Sequence, residues 1–253
     1  VTISKLNKTR PRKPNLKVKI ITIDGPAGAG KSTVAKLLAK RLGYLYLDTG
    51  AMYRALTLAG LRQKVNFLEK KALIRVARKA RIQLVKGARF SLDVYLDGKL
   101  INRQIRSPLV SSLVSFIASI GAIRQIMGKS QRAMGQKQNC VVEGRDIGTV
   151  IFPDAFVKFY LDASLGVRGK RRFKELKMRD PSVSCQDVKK SIQCRDRNDL
   201  TRSCGPLKRA HDAIYVDTTR LSISQVVARL QEKVLKKQSC SKKKKNKKTK
   251  KYS

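Results

Sequence analysis

Val18-Lys-Ile-Ile-Thr-Ile-Asp-Gly-Pro-Ala-Gly-Ala-Gly-Lys-Ser-Thr33 is the stretch that decides the fold. Val18 to Ile23 is a short, apolar, β-branched run stopped by Gly25 and Pro26, the pattern of a buried strand. From Lys31 to Leu42 apolar residues recur at Val34, Leu37, Leu38 and Leu42, a helical spacing closed by Gly43. Between them, Gly25-Pro26-Ala27-Gly28-Ala29-Gly30-Lys31-Ser32-Thr33 matches G-x-x-x-x-G-K-[ST] in the strand–loop–helix context which that motif needs. Gly28 and Gly30 let the backbone curl so that N–H groups converge on phosphate oxygens, and the start of the helix adds its positive end. Lys31 supplies a point charge for the β- and γ-phosphates, and Ser32 a hydroxyl for Mg²⁺. The loop predicts a bound nucleoside triphosphate. It leaves open whether the γ-phosphoryl group goes to water or to an acceptor.

Outward from the loop, strands and helices alternate. Further strands are expected at 140–142, 156–161 and 213–217, and Tyr44 to Leu47 is a short apolar run. Helices are expected near 51–62, 69–80, 108–120, 123–135, 164–178, 184–197 and 222–236. That alternation predicts an α/β fold whose parallel sheet is covered by helices on both faces. Residues 81–101 break the pattern: short apolar runs flank Gly87 and Asp97-Gly98, and Asp-Gly is a hairpin signal, so a small antiparallel insert is expected.

The chain has 253 residues, 42% of them apolar, enough for one domain with a sizeable core. Its formal charge is +41, unevenly spread. Residues 1–19 hold seven basic residues and 236–253 ten lysines, neither with an acid, which leaves the body at about +24. Such a field favours polyanionic partners. Residues 1–17 read as a basic extension without the apolar stretch of a secretory signal, and 236–253 as a disordered polylysine tail. No run of eighteen apolar residues is present, so no membrane span is expected; serines and Arg124 interrupt the nearest candidate, 109–126. Five cysteines without C-x-x-C spacing and one histidine argue against zinc and fit a reducing, cytoplasmic setting.

Phosphoryl transfer between two anions needs fixed cations, and arginine, planar and permanently charged, suits that task. Four clusters supply it. Asp48-Thr-Gly-Ala-Met-Tyr-Arg54 opens a helix, and Glu143-Gly-Arg145-Asp146 follows a strand. Arg168, Arg171 and Arg172 share one helix face, and Arg195, Asp199 and Arg202 another. Each also has a plainer reading: solvated surface charge for the Arg168 trio, a helix-terminal charge for Asp199, a local ion pair for Arg145 with Asp146. Their common position at strand ends, where ligands bind in open parallel sheets, favours a site.

These segments, together with Leu47-Asp-Thr-Gly-Ala-Met-Tyr-Arg54, Val141-Val-Glu-Gly-Arg-Asp-Ile-Gly-Thr-Val-Ile-Phe-Pro-Asp-Ala155, Arg195-Asp-x-x-Asp199-x-x-Arg202 and Asp212-Ala-x-x-Val-Asp-Thr-Thr219, resemble the bacterial-type cytidylate kinase family over about 18–235. The resemblance implies a P-loop kinase core, a CMP-binding insert near 81–101 and a helical lid near 164–180. It implies ATP with Mg²⁺ in the loop and phosphorylation of CMP and dCMP to the diphosphates. Thr49, Arg54, Arg145 and Arg202 would surround the CMP phosphate, Arg195 and Asp199 would hold the sugar hydroxyls, and Ser115, Arg124 and Asp146 would read cytosine. Lys31, Arg145, Arg168, Arg172 and Arg202 would carry catalysis. A cytoplasmic monomer is implied.

Two departures stand out. Gly166 and Gly169 fall in the lid helix, each costing about 1 kcal/mol relative to Ala, and His211 stands before Asp212 where an acid is expected. Two rival readings remain: a P-loop kinase acting on another monophosphate or a small metabolite, and a nucleic-acid-binding protein. The second lacks any RRM, KH or zinc-finger pattern, which makes non-specific RNA contact through the basic ends an accessory property.

Overall fold

The computed structural model describes residues 18–87, 92–178 and 181–249, with side chains as far as Cys240. The basic extension expected at 1–17 lies outside the described residues. The chain begins β1 (Ile20–Asp24), α1 (Lys31–Leu42), β2 (Leu45–Asp48), α2 (Thr49–Arg62) and α3 (Lys70–Lys79). The insert follows as β3 (Ile82–Lys86), β4 (Leu92–Leu96) and β5 (Lys99–Leu100), then α4 (Pro108–Ser119) and α5 (Gly121–Gly135). The chain then returns to the sheet with β6 (Cys140–Gly144), a π-helical turn (Ile147–Ile151) and β7 (Val157–Asp162). It closes with α6 (Leu165–Lys177), α7 (Cys185–Thr201), β8 (Ile214–Asp217) and α8 (Ile223–Thr249).

The main sheet is parallel throughout, in the order β2-β6-β1-β7-β8. Ile21 of β1 pairs with Val141 on one side and Val157 on the other, so β1 sits at the centre. Alternation along the strands divides the core. Ile21, Ile23, Val141, Phe159 and Leu161 pack on Val34 and Leu38 of α1 and on Val226, Val227 and Leu230 of α8. Cys140 and Val142 face the other way and meet Leu47, Ile147, Ile151 and Phe152. Cutting a side chain such as Leu38 back to Ala would cost about 2–5 kcal/mol.

The insert is the antiparallel sheet β3-β4-β5, as its Asp97-Gly98 turn predicts: φ is 50° at Asp97 and 80° at Gly98, the pair a type I′ hairpin requires. A second core joins it to α2–α5 through Met52, Leu56, Leu73, Val94, Leu96, Ile117 and Ile123. Among the described residues no single helix is long and apolar enough to cross a membrane. The apolar faces of α4 and α5, which meet at a 97° bend, are spent on this core.

Two helices overrun their expected ends. α7 continues from 197 to Thr201, which carries Asp199 on the helix and leaves Arg202 as its cap. α8 passes the boundary expected at Lys236 and stays helical to Thr249, where a disordered tail is expected. The stretch holds no Gly or Pro to stop it, and lysine propagates a helix nearly as well as leucine. Gly169, the expected weak point of α6, faces α7 so closely that a Cβ there would lie 2.7 Å from Lys189 Cγ, whereas Gly166 has nothing within 4 Å.

Candidate active site

The site gathers at the carboxyl ends of β1, β2 and β6. Gly28 (φ 78°) and Gly30 (φ 86°) hold left-handed backbone in the loop between β1 and α1, where a side chain would be strained. Lys31 is buried beneath the loop and its Nζ donates to Pro26 O at 2.7 Å. Burial, then the Arg145 guanidinium, pull its pKa below the ordinary lysine range, while Glu143 opposes them. Ser32 Oγ donates to Glu143 Oε2 at 2.8 Å, and Tyr46 donates its phenol to the other oxygen. Burial, then the Asp48 charge, push the Glu143 carboxyl upward. A hydroxyl and a buried carboxylate with no full counter-charge are the hard oxygen donors that Mg²⁺ takes. Among the described residues no cluster of three or more acids, histidines or cysteines could cage a metal alone.

Beside the loop lies a chain of alternating charges. Arg145 donates to Asp199, which also takes Arg202 Nη1 at 3.1 Å. Arg202 Nη2 lies 3.7 Å from Asp146, and Asp146 ion-pairs with Arg124. The adjacent Arg145 and Asp146 thus pair with distant partners and not with each other. Arg124 also donates to Ala118 O and lies 5.6 Å over the Tyr53 ring. Gly205, with φ 58°, closes this corner: a Cβ there would run into Asp146 Oδ2 and lie 2.7 Å from an Arg124 nitrogen. Thr49 Oγ1 donates to Glu143 O at 2.7 Å, and Arg54 donates to Ser111 Oγ and Ile105 O. Ser115 sits one turn beyond Ser111 on the same side of α4, partly buried.

Not all the positive charge is matched. Arg195 Nε is buried and has no hydrogen-bond partner. Burial, then Arg145 and Arg54, depress the Arg195 guanidinium, and burial, then Arg172, depress Arg54. Arg54, Arg145, Arg172 and Arg195 therefore lie close enough to repel one another, with Asp199 compensating Arg145 and Glu175 compensating Arg172.

The Arg168 trio diverges. Arg168 ion-pairs with Asp196 and donates to Ala27 O at 3.0 Å. Arg171 turns to Thr218, and Arg172 pairs with Glu175 at 2.7 Å while its charge reaches Arg54 and Arg195. Sequence reasoning missed Asp196, which accepts from Ala27 N at 3.0 Å as well as pairing Arg168. It also missed Ser111, Tyr53 and the part of Glu143 opposite Ser32. The position of Glu143 at a strand end was a usable signal for the last of these.

Comparison with known proteins points to one family. The family model described as cytidylate kinase matches residues 21–236. The cytidylate kinase of Caldanaerobacter subterraneus subsp. tengcongensis is 47% identical over 222 residues, covering 88% of this chain and 96% of that protein. The one from Pelotomaculum thermopropionicum is 46% identical over 207 residues, 82% and 92% of the two chains. The one from Lactobacillus gasseri is 43% identical over 218 residues, 86% and 94%.

Proposed function

Because the chain belongs to the cytidylate kinase family, we propose that it transfers the γ-phosphoryl group of ATP to CMP and dCMP through the site described above. The observation that carries the acceptor site is Arg195, whose buried Nε has no hydrogen-bond partner and whose guanidinium is crowded by Arg145 and Arg54. Arg54, Arg145 and Arg202, with Thr49, receive the monophosphate. Arg195 and Asp199 hold the sugar. Asp146, set by Arg124, accepts from the cytosine amino group, with Ser115 on the same wall. The insert at 81–101 supports this half of the site.

ATP lies along Gly25 to Thr33. Ser32 and Glu143 would hold Mg²⁺, which would supply neutralisation of the phosphate charge. Lys31 meets the charge that develops as the phosphoryl group moves. No general base is required, because the acceptor phosphate dianion is already a nucleophile. Catalysis then rests on alignment and charge neutralisation. Arg168 and Arg172, on the lid at 164–180, close the site against water, which would otherwise compete as acceptor.

An ADP-release assay over CMP, dCMP, UMP and AMP tests this reading. Turnover concentrated on the two cytidine nucleotides supports it, and a preference for UMP or AMP overturns it.

The enzyme is proposed to act in the cytoplasm as a monomer. An accessory contact with RNA is supported by the lysines at 236, 237, 242–245, 247 and 248, all on the helical stretch of α8. Such contact neutralises phosphates without reading sequence.

A further inference from the structure

Asp24 is almost wholly buried at the end of β1 and belongs to none of the groups placed on a substrate above. Its carboxylate reaches across the sheet. Oδ1 accepts from Ile147 N at 2.9 Å and Oδ2 from Gly148 N at 2.7 Å. These are the first two N–H groups of the π-helical turn Ile147–Ile151, which its own ladder leaves unpaired. Burial pushes the Asp24 pKa up to about 6, although both backbone N–H groups pull it down and Asp146 and Lys31 act in opposite directions. A carboxylate kept at such a cost is held for its contacts.

The turn is pressed hard onto β1. A Cβ at Gly148 would lie 2.9 Å from Thr22 Oγ1, 3.2 Å from Lys158 Cδ and 3.3 Å from Asp24 Oδ2. Asp146 stands immediately before this turn, and Gly25 of the phosphate loop immediately after Asp24. One side chain thus ties the segment that carries Arg145 and Asp146 to the base of the loop that carries ATP.

We propose that Asp24 is a positioning residue for base choice: by holding the Ile147 and Gly148 N–H groups it sets the orientation of Asp146, and so the preference for cytosine over uracil. The proposal rests on the CMP kinase reading. Asp24 does not itself touch the nucleotide.

The test compares kcat/KM for CMP and UMP, KM for ATP and Tm in the parent, Asp24→Asn and Gly148→Ala. In Asp24→Asn one oxygen still accepts, but the amide group sets N–H against N–H at the other contact. The CMP-to-UMP ratio should fall about tenfold, mainly through KM for CMP, with KM for ATP little changed. Gly148→Ala lifts the same turn from β1 while leaving the carboxylate in place, and should lower the ratio too. If Asp24→Asn does not fold, Gly148→Ala decides the matter alone. An unchanged ratio in the folded variants, or equal losses on both nucleotides, would overturn the proposal. A parent enzyme with no preference for CMP would overturn the reading beneath it as well, and the parent's own activity tells the two failures apart.

Discussion

Arg145 Nε lies 2.8 Å from Asp199 Oδ2, and that one contact ties the end of β6 to α7 across 54 positions of sequence. Asp199 serves Arg202 with its other oxygen, so a single carboxylate compensates two guanidinium groups proposed to receive the CMP phosphate. Without it the site would hold cations that repel one another even before a substrate arrives.

Asp199→Asn is therefore expected to destabilise the nucleotide-free enzyme by about 3–5 kcal/mol, the usual cost of removing one partner from a buried pair. Burial raises the Asp199 pKa, but Arg145, Arg195 and Arg202 outweigh it and hold the group below its ordinary value. A depressed carboxylate gives stability that is full above the unfolded pKa and is lost as pH falls through the folded one. Urea unfolding of both proteins between about pH 7 and pH 3 should show the parent losing more of its stability than the variant. Parallel pH profiles would remove Asp199 from this role.

Lys31→Ala should lower kcat by about 10² to 10³, the effect of losing one preorganised charge contact, while circular dichroism stays that of the parent. The lowered Lys31 pKa adds a second readout. Above the folded pKa the native state binds fewer protons than the unfolded one, so stability rises with pH until the unfolded value of about 10.4 is reached. That rise should be smaller in the variant. Activity within a few-fold of the parent would take the loop lysine out of the mechanism.

Asp146→Asn exchanges an acceptor-only carboxylate for an amide that can also donate. Cytosine offers an amino group where uracil offers a carbonyl. Discrimination between CMP and UMP should shrink by about 1–3 kcal/mol. Because Asp146 also compensates Arg124 and Arg202, Tm should fall in the same variant. A large loss of activity with an unchanged ratio would assign Asp146 to holding those arginines alone.

Deleting 239–253 keeps the contact in which Gln238 of α8 donates to Tyr44 at 3.0 Å. Tm and CMP kinase activity should hardly change. Retention on RNA should weaken and lose part of its salt dependence with the lysines at 242–245, 247, 248, 250 and 251 removed. The far-UV helical signal should also drop, because α8 runs through this stretch. Equal retention by both proteins would dismiss the accessory contact, and loss of kinase activity would place the tail at the site.

Local chemistry made much of this legible from sequence. The phosphate loop, the parallel sheet and the Asp97-Gly98 hairpin each rest on residues within a few positions of one another. Asp24 and Asp196 were hidden for the opposite reason. Asp24 reads as the last residue of an apolar strand, and its partners lie more than a hundred positions away. Asp196 stands beside Arg195 in a quoted motif, yet its work is done at Ala27, 169 positions earlier. The length of α8 follows helix propensity, which the charge composition of its lysine run conceals. The Arg168 trio shows the limit of helical spacing as a guide: adjacent positions on one face end at Asp196, Thr218 and Glu175.

The strand order carries a consequence for how the protein comes into being. β2 is an edge strand whose neighbour in the sheet is β6, and β1 is flanked by β6 and β7, so strands made early wait for strands made more than ninety residues later. High contact order of this kind slows folding, and synthesis from the N-terminus makes the wait unavoidable. On the ribosome the phosphate loop emerges long before the sheet that shapes it. Nucleotide binding therefore becomes available only after Glu143 and Arg145 have been added, and a nascent chain that stalls earlier exposes two unpaired apolar strands to chaperones and proteases.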